Sequence, residues 1–305
     1  MTTHSTPQGD RVVLAVVTIL FTVLALSFGD AVIKKISTGF VLWQIFVLRS
    51  ALAIPVLVTA IKVRDRTTGL LPRHSGWTLL RSLLLVTMWV AYYAALPHLD
   101  LSVAAAAYYT IPMFIALFSA LLIHERVGKL GWFAVGLGFA GVLLILRPRA
   151  EDFNAWALLP LVSAVCYALA MILTRTRCRD ENPAVLSLAL NVAFVVVGAG
   201  ASGLILLTGA TDEVSFLLGP WTAMGGHEWM AMAVLAVAVI VGSVGAAIAY
   251  QVGPPTIVAT FDFAYVGFAA IWGFVFFAEV PDAVTVAGMV LIVAAGLLVM
   301  RRSER

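Results

Sequence analysis

Ten runs of about 20 apolar residues, separated by short polar breaks, occupy nearly all of this sequence, and about 20 residues of helix is what the hydrocarbon core of a bilayer requires. The stretch 101–147 then returns in recognisable form as 255–301. A duplicated body of this kind leaves no room for a soluble catalytic domain and points to a transporter. Charged residues make up 11% of the 305 positions, against roughly 25% in a soluble domain. A deficit that large cannot be hidden in a bigger core, so lipid must solvate most of the surface.

The spans fall at 12–32, 40–63, 77–97, 101–123, 130–146, 155–174, 184–207, 229–252, 257–277 and 283–300. The first exceeds the roughly 7–15 residue core of a signal peptide and is expected to be a retained helix. The longest breaks are 64–76 and 209–228; the second, with Phe216, Leu217, Leu218 and Trp221, has the composition to lie along the membrane surface. With the N-terminus inside, fourteen Lys and Arg fall on the cytoplasmic side, among them Lys62, Arg64, Arg66, Arg73, Arg81, Arg126, Lys129, Arg175, Arg177 and Arg179. Four fall outside: Lys34, Lys35, Arg147 and Arg149. That excess places both termini in the cytoplasm.

Five helices per half is an odd number, so the second half must enter the membrane upside down relative to the first. The expected fold is an all-α membrane protein of ten transmembrane helices in two inverted five-helix repeats, residues 12–147 and 155–300. A shift of 154 residues places Ala105 on Ala259, Phe114 on Phe268, Ala116 on Ala270 and Glu125 on Glu279. The binding site is expected near the midplane, between the halves.

Several motifs are present only as strings. Gly136-Leu-Gly138-Phe-Ala-Gly141 and Gly198-Ala-Gly200-Ala-Ser-Gly203 spell a dinucleotide fingerprint, but each lies inside an apolar span without a preceding strand. Small residues there let helices approach closely, as in Gly136/Ala140 and Ala199/Gly203. The small-residue stripes of the fifth and tenth spans suit either a dimer interface or internal packing. His227-Glu228 lacks the second His of a zinc protease, and no P-loop or G-x-S-x-G string occurs. No ATP-driven transport, enzyme activity, metal or cofactor is therefore expected. Cys166 and Cys178 lie about 18 Å apart if helical, too far to bridge. The net charge of +3 sits in loops and carries no nucleic-acid signal.

Few charges enter the spans. Arg49 lies in the second, Asp262 in the ninth and Asp30 near the outer end of the first. A charge at mid-bilayer costs about 2.5–3.5 kcal/mol on lenient scales, so it must face a partner or water. Arg49 and Asp262 belong to opposite halves; they form either a substrate or proton site or a buried ion pair tying the halves together. Asp30 stands four residues before Lys34, a spacing that suits a local salt bridge. Trp89, Tyr92 and Tyr93 share one helix face, Tyr109 precedes Pro112 by three residues, and Phe261, Phe263 and Tyr265 surround Asp262. Pro112 removes a backbone hydrogen bond and can open the helix at a cavity. Aromatics inside spans, with one or two charges, suit a flat, partly polar organic solute. Gln44, Asn191 and Gln251 offer further hydrogen bonds, to a solute or between helices. Glu125 and Glu279 are expected to cap or orient the helices that follow.

The string Ala107-Tyr-Tyr-Thr-Ile-Pro-Met-Phe114, then Leu122-Ile-His-Glu-Arg-Val127, then residues 136–148, resembles an EamA domain of the drug/metabolite transporter superfamily. Ala259-Thr-Phe-Asp-Phe-Ala-Tyr265 followed by Phe276-Phe-Ala-Glu-Val-Pro281 is similar to the matching part of a second EamA repeat. The resemblance implies two inverted EamA halves, a central cavity, and alternating access without ATP. Ser27-Phe-Gly-Asp-Ala-Val32, residues 44–50 and the Phe-Asp-Phe stretch look nearest to the branch of riboflavin and S-adenosylmethionine transporters. Val266 stands where the first half has Pro112, so the second repeat is expected to be less kinked.

The sequence thus predicts an inner (plasma) membrane, multi-pass secondary transporter of a small organic metabolite, a heterocyclic vitamin such as riboflavin leading. An amino-acid or drug exporter is the alternative within the superfamily; an integral-membrane enzyme or scaffold is the alternative outside it. Gln44, Arg49, Trp89, Tyr93, Tyr109, Asp262 and Tyr265 are the expected substrate-binding set, with Asp262 changing protonation or ion pairing during the cycle. The expected partners are the substrate, the lipid bilayer and a coupling proton, with no nucleic acid; a homodimer is left open.

Overall fold

The computed structural model describes residues 8–36, 40–64, 66–95, 98, 107–125, 127–146, 155–209, 216–278, 280 and 282–303. The side chain of Lys34, matched to Asp30 from the sequence, lies outside what is described, as do Ala105, Arg126 and Glu279. Among the described residues every regular element is a helix. The order is α1 (Gln8–Ile36), α2 (Leu42–Arg64), α3 (Ser75–Ala95), α4 (Ile111–Leu122), α5 (Lys129–Leu146), α6 (Leu158–Thr176), α7 (Pro183–Thr208), α8 (Gly226–Val252), α9 (Pro255–Asp262), α10 (Ala264–Phe277) and α11 (Ala283–Ser303). A 3₁₀ turn, Ala155–Ala157, leads into α6. Helices α9 and α10 are one span in two pieces. Seven segments are long and apolar enough to cross a membrane, and three shorter apolar helices, α4, α5 and α11, complete the ten.

Local chemistry sets the ends. Asn182 caps α7, its side-chain oxygen accepting from the Ala184 N–H at 2.9 Å ahead of Pro183 in the first turn, where a missing N–H costs nothing. Gly209 closes the same helix at φ +66°, a backbone that favours glycine. Asp282 starts α11, accepting from the Thr285 N–H at 2.9 Å.

The packing follows an exchange of the two halves. α1 packs along α8, and its counterpart α6 packs along α3; α3 meets α7 as α8 meets α2; α1 meets α10 as α6 meets α4. Three further contacts, α2 with α7, α4 with α9 and α5 with α11, pair each span with its own counterpart, while α7 also packs against α8. This is the pattern of an inverted repeat about an axis through the centre of the bundle.

Close approach at the α5–α11 crossing depends on two glycines. A Cβ on Gly141 would lie 2.7 Å from the Gly288 carbonyl oxygen, and one on Gly288 would lie 2.6 Å from that of Gly141. Two fingerprint glycines thus serve packing inside the chain, since Gly138 faces the Phe263 ring in the same way, with a Cβ clash at 2.5 Å. In the second string only Gly198 is packed, against Trp43, Phe46 and Val47. The small pairs read from the sequence are corrected accordingly: Gly136, Gly200 and Gly203 have open space around them, and Ala140 and Ala199 are exposed.

Three further expectations are corrected. The second half is as broken as the first, without a proline. α4 begins after a turn at Tyr109–Thr110, and the ninth span breaks at Phe263, which the shift superposes on Tyr109. There the Val266 N–H bonds the Phe263 carbonyl at 3.1 Å, a tight 3₁₀-type step, held because the Phe263 ring is fully buried against Gly138. Residues 216–218, expected along the membrane surface, form a turn: Phe216 and Leu217 pack against the core instead, while Leu218 and Trp221 stay exposed. Arg81, counted with the cytoplasmic loops, is fully buried in α3, its Nε donating to Thr174 Oγ1 at 2.6 Å.

Candidate functional site

All seven tyrosines of the chain lie in two neighbouring groups inside the bundle. The first group is a run of rings. Trp89 stacks on Tyr93 at 5.3 Å between centroids, both from one face of α3. Tyr93 meets Tyr92 at 5.8 Å, Tyr92 meets Tyr108 at 4.9 Å, Tyr108 meets Tyr109 at 5.4 Å, and Tyr109 meets Tyr265 of α10 at 5.5 Å. Offset and edge contacts at 4.5–7 Å each contribute roughly 0.5–1.5 kcal/mol beyond area burial.

A charge stands at each end of the run. At the α2 end, the Arg49 guanidinium lies over Phe194, Phe46 and Trp89, with its carbon 4.7, 5.1 and 5.6 Å from the ring centroids. Arg49 is 4% exposed, and its Nε and Nη2 have no hydrogen-bond partner among the described residues. At the other end, Tyr265 donates its hydroxyl to Asp30 Oδ2 of α1. Asp30 and Arg49 lie within each other's electrostatic reach. The hydroxyls of Tyr92, Tyr93 and Tyr109 make no hydrogen bond among the described residues.

The second group surrounds Asp262 at the end of α9. Tyr250 of α8 donates its hydroxyl to Asp262 Oδ2 at 2.5 Å, and Tyr167 of α6 lies edge-on to Tyr250 at 6.5 Å. Tyr108 lies within reach of both acids and joins the groups.

Of the sequence-predicted set, Arg49, Trp89, Tyr93, Tyr109 and Tyr265 fall in the ring run. Asp262 belongs to the Tyr250 group; the acid within electrostatic range of Arg49 is Asp30. Gln44 stands apart. Its amide is spent on the α7–α8 loop: Nε2 donates to the Thr222 carbonyl at 2.8 Å, and Oε1 accepts from the Thr222 N–H at 3.0 Å. Beside it, Trp43 Nε1 donates to the Leu217 carbonyl at 2.7 Å and the Leu42 N–H to that of Phe216 at 3.0 Å. These bonds seat the Phe216 ring 5.6 Å from Tyr93, at one end of the site.

The opposite face is closed by backbone carbonyls and one carboxylate. Glu181, 3% exposed in its side chain, accepts from the Arg73 N–H at 3.1 Å and the His74 N–H at 2.6 Å, with the His74 ring nitrogen at 3.2 Å. Gln251 Nε2 donates to the carbonyls of Cys178 and Glu181, at 2.7 and 2.9 Å, and Arg175 Nη1 donates to the Gln251 carbonyl at 2.6 Å. Gln251 thus ties α8 to the turn after α6, whereas Asn191 bonds within its own helix, its Nδ2 donating to the Ser187 carbonyl of α7 at 2.9 Å. Both cysteines are free and buried.

Sequence reasoning undervalued Asp30 and passed over Tyr167 and Tyr250. One signal was available: every tyrosine sits within a span or beside one of its breaks, and none forms an interfacial belt.

The EamA-like transporter family matches residues 13–147. A riboflavin transporter of Rhizobium johnstonii is 29% identical over 76% of this chain and 72% of its own length. The pseudopaline exporter CntI of Pseudomonas aeruginosa is 28% identical over 94% of this chain and 96% of its own. An S-adenosylmethionine uptake transporter of Rickettsia felis is 23% identical over 74% and 72%. In architecture, a crystal structure at 19% sequence identity superposes on 97% of this chain and 99% of its own with a TM-score of 0.76, a likeness of fold.

Proposed function

We propose that this chain, whose residues 13–147 match the EamA-like transporter family, is a secondary transporter of a small flat organic solute. A heterocyclic vitamin or cofactor such as riboflavin is the leading substrate. The observation that carries this reading is the ring run from Trp89 to Tyr265, with the donors of Arg49 at one end. Stacking faces hold a flat ring system whatever its substituents, while a planar guanidinium and phenol hydroxyls grip carbonyl or carboxylate edges. Relatives named as riboflavin and S-adenosylmethionine transporters agree with a heterocyclic solute.

Arg49, Trp89, Tyr93, Tyr109 and Tyr265 contact the solute in this reading. Asp262 with Tyr250 forms a second polar station along the path. Gln44 seats the loop that covers one end. Residues 12–147 and 155–300 are the two repeats, and they alternate access by rocking against each other. Both termini are cytoplasmic in a plasma-membrane protein. The Lys/Arg excess supports this orientation even without Arg81, and the two basic loops, 65–74 and 177–182, share one face through Glu181.

A second reading, export of an amino-acid derivative that bears a carboxylate, is favoured by the Arg49 donors and by the nearly full-length match to the pseudopaline exporter. Uptake of labelled riboflavin, S-adenosylmethionine and amino acids into proteoliposomes separates the two. Saturable riboflavin uptake that falls in Trp89→Ala and Arg49→Gln supports the vitamin; uptake of amino-acid derivatives alone selects the second reading.

A further inference from the structure

We propose that Asp30 couples transport to protons, taking up one proton each time a substrate acceptor group settles beside Arg49. This rests on the reading above, in which Arg49 grips a carbonyl or carboxylate edge of the solute.

The argument begins with charge balance. Among the described residues, Arg49 makes no ion pair, and Asp30 is the carboxylate within its reach. With the site empty, the two charges offset each other inside a bundle that offers little other compensation. An acceptor brought to Arg49 shares that enclosure with the Asp30 carboxylate. The carboxylate can only accept hydrogen bonds, so it repels the incoming lone pairs, and it repels a full negative charge more strongly. A proton on Asp30 removes the repulsion and turns an acceptor into a donor.

Asp30 is placed to take it. It is half-buried, and only Oδ2 is engaged, by Tyr265; Oδ1 has no hydrogen bond among the described residues. The groups that face it are Arg49 from α2, Tyr92 and Tyr93 from α3, Tyr108 and Tyr109 ahead of α4, and Tyr265 from α10. Helix α8, which packs along α1, presents Leu235 and Ala238 against Gly29, one residue away. Asp262 on α9 is engaged by Tyr250 instead. Among the described residues, then, Asp30 is the acid within electrostatic range of Arg49.

The step balances simply. A hydronium ion on one side of the membrane gives its proton to Asp30 Oδ1 as the substrate engages Arg49. After the site reopens, the substrate leaves, Asp30 returns the proton to water on the far side, and its charge again offsets Arg49. Proton and substrate move in the same direction, one for one.

The test uses the full chain in liposomes with riboflavin as probe. Net uptake is measured with and without an inward proton gradient, and counterflow is measured against riboflavin already inside, which needs no net proton movement. In the wild type the gradient should raise net uptake about tenfold, a coupling of about 1.4 kcal/mol. Asp30→Asn should abolish that gain while counterflow persists, and Asp30→Glu should retain it. Gradient-dependent uptake in Asp30→Asn, or a wild type indifferent to the gradient, overturns the inference. Should Asp30→Asn lose counterflow as well, a pH dye inside wild-type liposomes decides: about one proton per riboflavin supports coupling, and no acidification overturns it. No riboflavin movement of either kind in the wild type overturns the substrate reading, and this inference with it; counterflow without coupling overturns the inference alone.

Discussion

Tyr109 and Phe263 occupy the same place in the two halves, 154 residues apart in sequence, and meet in one buried cluster with Val142, Val266 and Ile292. A residue can pack with its own counterpart only near the axis that relates the halves. Both mark the break in their span, so the two interrupted helices face each other at the centre of the bundle. Tyr108 and Asp262, the preceding pair of counterparts, then stand on either side of that axis. The same position is an aromatic hydroxyl in one half and a carboxylate in the other. The asymmetry gives the site a ring-lined side and an acid side.

The break at Phe263 depends on Gly138. Gly138→Ala places a methyl 2.5–2.6 Å from two Phe263 ring carbons. Overpacking of this kind costs roughly 1–3 kcal/mol, so the variant should melt several degrees lower in detergent. Gly136→Ala, with nothing within 4 Å, should melt at the wild-type temperature or slightly above, since alanine favours helix. Equal melting of the two variants would remove the packing role.

Gln44 distinguishes a bracing residue from a substrate ligand. Gln44→Leu removes the bonds from Gln44 to the Thr222 N–H and carbonyl; Thr222 is exposed, so the cost is that of ordinary hydrogen bonds, roughly 0.5–1.5 kcal/mol each. Thermal stability should fall, while the apparent affinity for the transported solute stays within about twofold of wild type, well under the tenfold that 1.4 kcal/mol produces. A large loss of affinity at unchanged stability would return Gln44 to the binding set.

The fold was legible because lipid imposes it. A helix that must satisfy every backbone group within itself writes its length into the sequence as an apolar run, and two copies of the same run pattern expose the repeat. The face shared by Trp89, Tyr92 and Tyr93 was legible from helical spacing alone. The partners of the charges were not. Asp30 finds Tyr265 across 235 positions, and Gln44 finds Thr222 across 178. Local spacing offered Asp30 only a neighbour, Lys34, whose side chain lies outside what is described, and it carried no signal of Tyr265 on a distant helix. The break at Phe263 was hidden for a similar reason: its cause lies in Gly138 on another helix rather than in a proline of its own.

Glu181 should hold the 65–74 loop closed. Glu181→Gln keeps the shape but removes the charge that two backbone N–H groups and the His74 ring face. A charge-assisted bond is worth roughly 1.5–3 kcal/mol, so amide exchange at Arg73 and His74 should speed up by about tenfold or more. Unchanged exchange at both amides would show that the seam is held by Gln251 and Arg175 instead.

Arg49 is the sharpest test of the ring run. Lysine at this position keeps the charge but loses the planar fork and the flat contact with Phe46, Trp89 and Phe194. Each cation–π contact is worth about 0.5–2 kcal/mol, and lysine's mobile ammonium can retain only part of that. Arg49→Lys should therefore weaken apparent substrate affinity about tenfold and lower the maximal rate far less, because the charge that offsets Asp30 remains. Arg49→Gln removes that charge as well and leaves Asp30 without its counter-ion, so rate and affinity should fall together. Kinetics of both variants in the same liposomes check this ordering. A lysine variant with wild-type affinity would show that charge alone is read at Arg49, and that the three rings beneath it only carry the side chain into the bundle.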